Sequence, residues 1–387
     1  MLVSTLAQLA VTGLLVATLP LAMVWMSSDA NKYRKLVWTI AFLTFDLIVF
    51  GAFTRLTDSG LGCPDWPGCF NAANPFLAHA EIAKAEALLP SGPVTVVKAW
   101  IEMIHRYLAM GIGVLITALM AKAWLQWRKT GKPAFDPVMP SALFFFVCLQ
   151  GAFGAWTVTM KLQPAIVTGH LVLGMGLLAM LAWMGARQDR AAGVAAAVAG
   201  GAVAGCASLT RPTGSLRTLA LVSAVVLAIQ IALGGWVSTN YATLACSEFP
   251  LCGGKLVPEM DFEHGFTLWR ELGKTAAGHY LPFSALTAIH WVHRNFAFVL
   301  IAVLGWTAWQ AAQQTPLRNI ARGIGAMLAV QTLTGLATIY FNFPLAIAVL
   351  HNAGAAILVV LVTMLNYQLN NKTRHRFGAT AHAKAFQ

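Results

Sequence analysis

Apolar runs of about 20 residues alternate with polar links along most of the chain, and each is long enough to cross a bilayer as a helix. They fall at residues 3–26, 36–53, 98–121, 138–159, 165–186, 219–237, 283–311, 324–341 and 345–365. The run at 3–26 lacks a basic leader, and the basic link Asn31-Lys32-Tyr33-Arg34-Lys35 follows it. It therefore reads as a spanning helix with its N-terminus outside, not as a cleaved signal. Two polar stretches are long, 54–97 and 238–282, and two turns are short, Lys161-Leu162-Gln163-Pro164 and Asn342-Phe343-Pro344. The Ala- and Gly-rich stretch 191–208 is apolar enough to tempt a spanning assignment. A helix there puts the later motifs on the wrong side, so it reads as a flexible or interfacial linker.

Composition agrees with this pattern. Of 387 residues, 58% are hydrophobic and only 10% charged, and the mean hydropathy is +0.67. That excludes an ordinary soluble domain. A net charge of +12 invites a nucleic-acid reading, but the basic residues sit in the short links, where membrane topology explains them. Lys32, Arg34, Lys35, Lys122, Arg128, Lys129, Lys132, Arg187, Arg190, Arg211, Arg217, Arg318, Arg322 and the tail (Lys372, Arg374, Arg376, Lys384) fall on one side. The long loops hold most of the acids: Asp58, Asp65, Glu81, Glu86, Glu248, Glu259, Asp261, Glu263 and Glu271. The positive-inside rule puts both long loops outside.

The two halves repeat one another. Cys63 and Cys69 are echoed by Cys246 and Cys252, His105-Arg106 by His293-Arg294, Gln150 by Gln331, and His170 by His351, in the same order. A tandem duplication gives such a series. Four helices make one repeat, so both copies point the same way, related by a pseudo-two-fold axis along the membrane normal. The fold class is all-α. It is a polytopic membrane protein of two pseudo-symmetric four-helix bundles plus one extra N-terminal transmembrane helix. The segments are residues 1–35 (extra helix and basic link), 36–187 (first bundle), 188–217 (linker), 218–370 (second bundle) and 371–387 (basic tail).

The polar residues inside the runs carry the chemistry. Glu102-Met103-Ile104-His105-Arg106 sets a carboxylate, an imidazole and a guanidinium in hydrocarbon, where each is costly and marks a functional site by default. Glu102 and His105, three apart, share a helix face. His105, His170, His293 and His351 all lie about 8–15 Å from the outer end of a helix at 1.5 Å per residue. Facing imidazoles can clamp haem iron, and bundle cores build cofactor sites this way. Zinc asks for a tighter cluster of three or four ligands, whereas a porphyrin brings its own nitrogens. Arg106 and Arg294 match carboxylate geometry and suit propionates; the alternative is that they bind backbone carbonyls or a buried acid. Glu102 in the first half becomes His290 in the second. A carboxylate serves a site that does chemistry, so substrate belongs in the first half and a permanent cofactor in the second. The alternative is a structural pairing of Glu102 with Arg106 or Arg55. Cys148 and Cys206 read as packing residues. Each outer cysteine pair is placed to form a disulfide in an oxidising exterior. C-x-x-C-H is absent, so covalent haem attachment is not indicated.

These residues resemble a known family. The stretch from Gly51 through Thr54-Arg55 and Thr57-Asp58-Ser59-Gly60 to Cys63-Pro64-Asp65-Trp66-Pro67-Gly68-Cys69 looks like the first-loop signature of the haem A synthases. Glu102-Met103-Ile104-His105-Arg106 is similar to that family's Glu-x-x-His-Arg motif. Gln150-Gly151-Ala152-Phe153-Gly154-Ala155-Trp156-Thr157-Val158 and Gly169-His170-Leu171 fit as well. The resemblance covers about residues 36–365. It implies an eight-helix core of two four-helix bundles and oxidation of the C8 methyl of haem O to a formyl group, giving haem A for terminal oxidases. It implies haem b on His293 and His351 with Arg294 nearby, and substrate haem on His105 and His170 with Arg106 nearby. It makes Glu102 catalytic and pairs Cys63 with Cys69 and Cys246 with Cys252. It also implies haem O synthase and a redox donor or acceptor as partners, and residence in the bacterial inner membrane. The N-terminus and cysteine loops are then periplasmic and the C-terminus cytoplasmic. The helix at 3–26 is additional to that core, and His290 is a second imidazole that competes with His293. Two rival readings are a di-haem b cytochrome that relays electrons, which leaves Glu102 and the loop signature unexplained, and a transporter with parallel repeats, which calls for helices broken at mid-depth.

Overall fold

The structure, a computed structural model, describes residues 2–199 and 214–383. Cys206 and Arg211, the middle of the linker at 188–217 and Lys384 of the tail lie outside the described residues. Among the described residues nine helices are long and apolar enough to span a membrane, and there are no strands, only isolated bridges in the loops. The spanning helices are α1 (Leu2–Met26), α2 (Lys32–Leu56), α4 (Val96–Thr130), α5 (Val138–Thr159), α6 (Pro164–Ala199), α7 (Gly214–Thr239), α9 (Phe283–Ala312), α10 (Arg318–Tyr340) and α11 (Leu345–Ala383). Two short helices, α3 (His79–Leu88) and α8 (Phe262–Phe266), sit in the long loops.

Several helices outrun the apolar runs that announced them. α4 carries Lys122, Arg128 and Lys129 on its last turns and stops only at Gly131, which takes the left-handed conformation at φ 62° and donates its N–H to Trp127 O at 2.8 Å. Hydropathy reports where hydrocarbon ends. The backbone ladder continues into the polar zone until a cap stops it. For the same reason α6 runs on to Ala199, into the stretch read as linker. α3 is a helix inside a stretch that reads as polar loop.

The helices form two closed rings. In the first, α2 packs on α4, α4 on α5, α5 on α6 and α6 back on α2. In the second, the order is α7, α9, α10, α11 and back to α7. α4 therefore stands diagonally across the first ring from α6, and α9 across the second from α11. The rings join through α11, which packs on α2 and α6, and through α6 on α7. α1 lies outside the first ring against α4 and α2, and the second ring has no counterpart to it. Thr5 Oγ1 on α1 donates to Asn71 O of the first loop at 2.8 Å.

Each ring has a dry core away from the long loops. Ile40, Leu115, Ile116, Leu119, Leu143 and Leu181 fill the first, and Leu227, Leu304, Leu328 and Leu358 anchor the second. The histidines sit nearer the loops than these cores.

The long loops both lie at the same end and share a fold. Disulfides join Cys63 to Cys69 and Cys246 to Cys252, with Cα separations of 4.9 and 4.8 Å. Trp66–Pro67 and Phe249–Pro250 are cis. Cys69 bridges to Ala72, and Cys252 to Lys255. Asp65 accepts the N–H groups of Phe70 and Asn71 at 2.6 and 2.7 Å, and Glu248 accepts that of Gly254 at 2.8 Å. The halves also touch here. Arg55 donates to Ser238 O at 2.6 Å and lies 4.2 Å over the Tyr241 ring. Tyr241 donates its hydroxyl to Asp58 Oδ1 at 2.7 Å.

Candidate functional site: four imidazoles in two rings

His105 on α4 and His170 on α6 come from diagonal helices of the first ring. His293 on α9 and His351 on α11 do the same in the second ring. All four side chains are half-buried.

Each ring rests against a glycine of the helix beside it. A Cβ at Gly51 of α2 stands 3.0 Å from His105 Cε1, and one at Gly154 of α5 stands 3.2 Å from His170 Cε1. In the second ring the pairs are Gly234 with His293 at 2.9 Å and Gly335 with His351 at 3.3 Å. A side chain at any of the four positions crowds the imidazole, so glycine leaves room for the Cε1 edge of the ring against the neighbouring helix. Four residues before three of these glycines stands a glutamine. Gln150 donates to His170 O at 3.0 Å, Gln331 to His351 O at 2.7 Å and Gln230 to His293 O at 3.2 Å. At the fourth position, on α2, the residue is Leu47. The sequence reading singled out Gln150 and Gln331 and missed Gln230 and the glycines. The repeated Gln-x-x-x-Gly spacing was the available signal.

The motif residues around the histidines hold the loops. Glu102 is 4% exposed and His290 is 6% exposed, and they occupy the same place. Glu102 Oε2 accepts the N–H of Cys63 at 2.8 Å, and His290 Nδ1 accepts the N–H of Cys246 at 3.2 Å. Glu102 Oε1 also meets Arg106 Nη2 at 2.5 Å. Arg106 donates further to the carbonyls of Asp65, Pro67 and Gly68 at 3.0, 3.2 and 2.6 Å. Arg294 donates to those of Glu248, Leu251 and Pro250 at 2.9, 3.0 and 3.2 Å. Each arginine thus gathers the carbonyls of one disulfide ring. Arg55, the other partner considered for Glu102, pairs with Asp58 at 3.1 Å. With Nδ1 accepting, a neutral His290 carries its proton on Nε2 and has no free lone pair for a metal.

Two further residues depart from expectation. Cys148 is exposed on α5 rather than packed. Asp46 is an exposed carboxylate within α2, five residues before Gly51, where the second ring has Ile229. An acid inside an apolar run is itself a signal, and the sequence reading passed over it.

The donor set fits a porphyrin better than a bare ion. Among the described residues no three His, Cys, Asp or Glu side chains cluster as metal ligands. Two imidazoles across each ring would suffice for a haem, which supplies four nitrogens itself. Nδ1 of His105 and Nδ1 of His170 are buried without a hydrogen-bond partner, so no protein group fixes the tautomer of either ring.

Comparison with known proteins decides the family. A family model described as cytochrome oxidase assembly protein, COX15-CtaA, matches residues 34–363. The chain belongs to the COX15-CtaA family. A relative in Shewanella oneidensis named heme A synthase is 35% identical over 342 residues, 88% of this chain and 98% of its own length. Relatives of the same name in Methylobacterium sp. and Erythrobacter litoralis are each 28% identical, over 84% of this chain and 89% and 93% of theirs. The match to the COX15-CtaA model begins inside α2 and ends inside α11. It takes in both rings and both disulfide loops, and it leaves α1 outside.

Proposed function

We propose that this chain is a haem A synthase, a multi-pass membrane oxidoreductase that converts the C8 methyl of haem O to the formyl group of haem A for terminal oxidases. Family membership carries this reading, together with relatives of that name that match nearly end to end. The duplicated imidazole pairs support two haem positions. Substrate haem lies between His105 and His170, and haem b between His293 and His351. His293 is favoured over His290 because it mirrors His105 in its glycine contact, whereas His290 mirrors Glu102 in holding a cysteine N–H. Bound haem b supplies one-electron redox chemistry.

The reaction balances as two oxidations. Each removes two electrons and two protons and adds oxygen from water, first to the alcohol and then to the gem-diol, which loses water to the aldehyde. The electrons pass to a redox partner. Glu102 places a carboxylate one helical turn from His105. There it stabilises positive charge developing on the methyl carbon and takes a proton from the attacking water. Arg106 and Arg294 serve the two sites through the loops they gather, where they would lie within the reach of a haem's propionates. Haem O synthase is the supplier of substrate. The one-sided basic links support residence in the bacterial inner membrane with both cysteine loops periplasmic.

A second reading, a di-haem b cytochrome that relays electrons, draws support from one observation: Glu102 and His290 share a loop-holding role, which weakens the chemical asymmetry between the halves. Pigment extraction and mass analysis of the purified protein separate the two. Haem O or haem A beside haem b is expected; two permanent b haems and neither of the others would overturn the synthase reading. Glu102→Ala is expected to keep bound haem and stop turnover, and normal haem A output from it would remove the catalytic role.

A further inference from the structure

We propose that Thr334 is a positioning residue for His351: its hydroxyl oxygen accepts the His351 Nδ1–H and so fixes the tautomer whose Nε2 lone pair faces the haem iron. The proposal rests on the ligand reading above. Thr334 Oγ1 lies 2.9 Å from His351 Nδ1. A hydroxyl has one proton to give, and Thr334 has backbone carbonyls to give it to, Val330 O at 2.9 Å and Gln331 O at 3.2 Å, within its own helix. The oxygen is then an acceptor toward the imidazole, Nδ1 is the protonated nitrogen, and Nε2 is left as the lone-pair atom. Outer hydrogen bonds of this kind orient a ligating histidine and raise its basicity.

Among the described residues no hydroxyl sits in the equivalent place at the other three imidazoles. Thr334 directly precedes Gly335, the glycine under His351. The residues directly preceding Gly51, Gly154 and Gly234 are Phe50, Phe153 and Leu233, whose side chains offer no hydrogen-bond acceptor. His105 Nδ1 and His170 Nδ1 are accordingly buried without partners. His293 Nδ1 has the Gln230 amide nitrogen at 3.3 Å. That nitrogen only donates, so the contact is a hydrogen bond only in the tautomer that protonates Nε2, which cannot bind iron there. Gln230 spends a donor on His293 O instead, as Gln150 and Gln331 do on their histidines. One axial ligand of four is therefore locked in advance, and it belongs to the ring assigned to the permanent cofactor. A substrate must leave its ligands after reaction, and the first ring has no such lock.

The test uses full-length protein purified from cells that make no haem O, so that only resident haem is read. Haem loss to excess apomyoglobin and the reduction midpoint potential are measured for the parent, Thr334→Val, Thr334→Ser and His351→Ala. Val keeps the shape and removes the acceptor, and Ser keeps the acceptor and removes the methyl. Thr334→Val is expected to lose haem about 10–100-fold faster, the range typical of outer-shell ligand contacts, with the potential raised because a less basic imidazole favours ferric iron less. Thr334→Ser is expected to match the parent in both. Parent-like values for Thr334→Val overturn the proposal. So does Thr334→Ser behaving like Thr334→Val, because packing of the methyl would then be the cause. His351→Ala that keeps haem with an unchanged spectrum overturns the ligand reading itself. His351→Ala that loses haem while Thr334→Val does not overturns only the role of Thr334.

Discussion

In the first ring the glycines under the imidazoles follow Phe50 and Phe153, and the Phe50 ring lies 6.2 Å from the His105 ring, nearly parallel to it. In the second ring they follow Leu233 and Thr334. The scaffolds otherwise agree closely: the same ring order, the same diagonal histidines, the same glycines, and cysteine loops held by an arginine and by the residue three before the histidine. Duplication therefore accounts for where the imidazoles sit. It does not account for how their surroundings differ. The differences lie at matching positions around the imidazoles and loops: Leu47 for Gln230, Phe153 for Thr334, Glu102 for His290. In the first ring no hydrogen-bonding group reaches the imidazole Nδ1 atoms, although Gln150 holds His170 O, and a carboxylate stands one turn from His105. In the second, polar groups reach both Nδ1 atoms, and no carboxylate stands at the matching place.

Removing ligands breaks this comparison most severely. His293→Ala or His351→Ala is expected to strip essentially all resident haem b, while His105→Ala or His170→Ala leaves it in place and removes only haem O binding; quantified pigment extracts check this. Next comes Glu102→Gln, which keeps an acceptor for the Cys63 N–H and discards the charge. Turnover is expected to fall about 10²–10⁴-fold, the usual worth of a positioned acid or base, with resident haem unchanged. His290→Ala, its counterpart in the second ring, is expected to disturb the Cys246 loop and leave the chemical step alone. Equal losses of haem A output from the two variants would reduce Glu102 to a loop holder.

A smaller effect is expected when the glycines are filled. Gly51→Ala and Gly234→Ala each put a methyl about where a Cβ meets imidazole Cε1, at 3.0 and 2.9 Å. Overpacking of this kind costs about 1–3 kcal/mol. It should appear as weakened haem O affinity in the first case and faster haem b loss in the second. The smallest effect is at the seam between the halves. Tyr241→Phe removes the hydroxyl that reaches Asp58 and is expected to lower stability by no more than about 1 kcal/mol, read as a small drop in Tm with haem content intact.

The large-scale plan was legible because it is written in quantities a sequence displays. Apolar length gives the spans, and the Cys, His-Arg, Gln and His series gives the duplication. Cys63–Cys69 and Cys246–Cys252 followed from identical spacing in outer loops, and both form. The immediate surroundings of the histidines were not legible, because they depend on helix rotation and on contact across helices. Gly51 and Gly234 look like any glycine in an apolar run until a neighbouring helix brings a ring onto them. Thr334 looks like one more hydroxyl residue until α10 turns it toward α11. The role of Glu102 in holding Cys63 was hidden because the loop folds back over the helix by a path no periodicity reveals. α3 went unread because a ten-residue helix outside the bilayer has no apolar length to announce it.

The packing of α5 has a consequence for traffic. Among the described residues α5 packs on α4 and α6 of its own ring, whereas α2 and α6 are also backed by the second ring and α4 by α1. A lipid-soluble molecule drifting in the bilayer therefore meets α5 as one open flank of that ring. Cys148, the free thiol among the described residues, stands exposed on the same helix. A fluorophore tethered there would report on the lipid beside that flank.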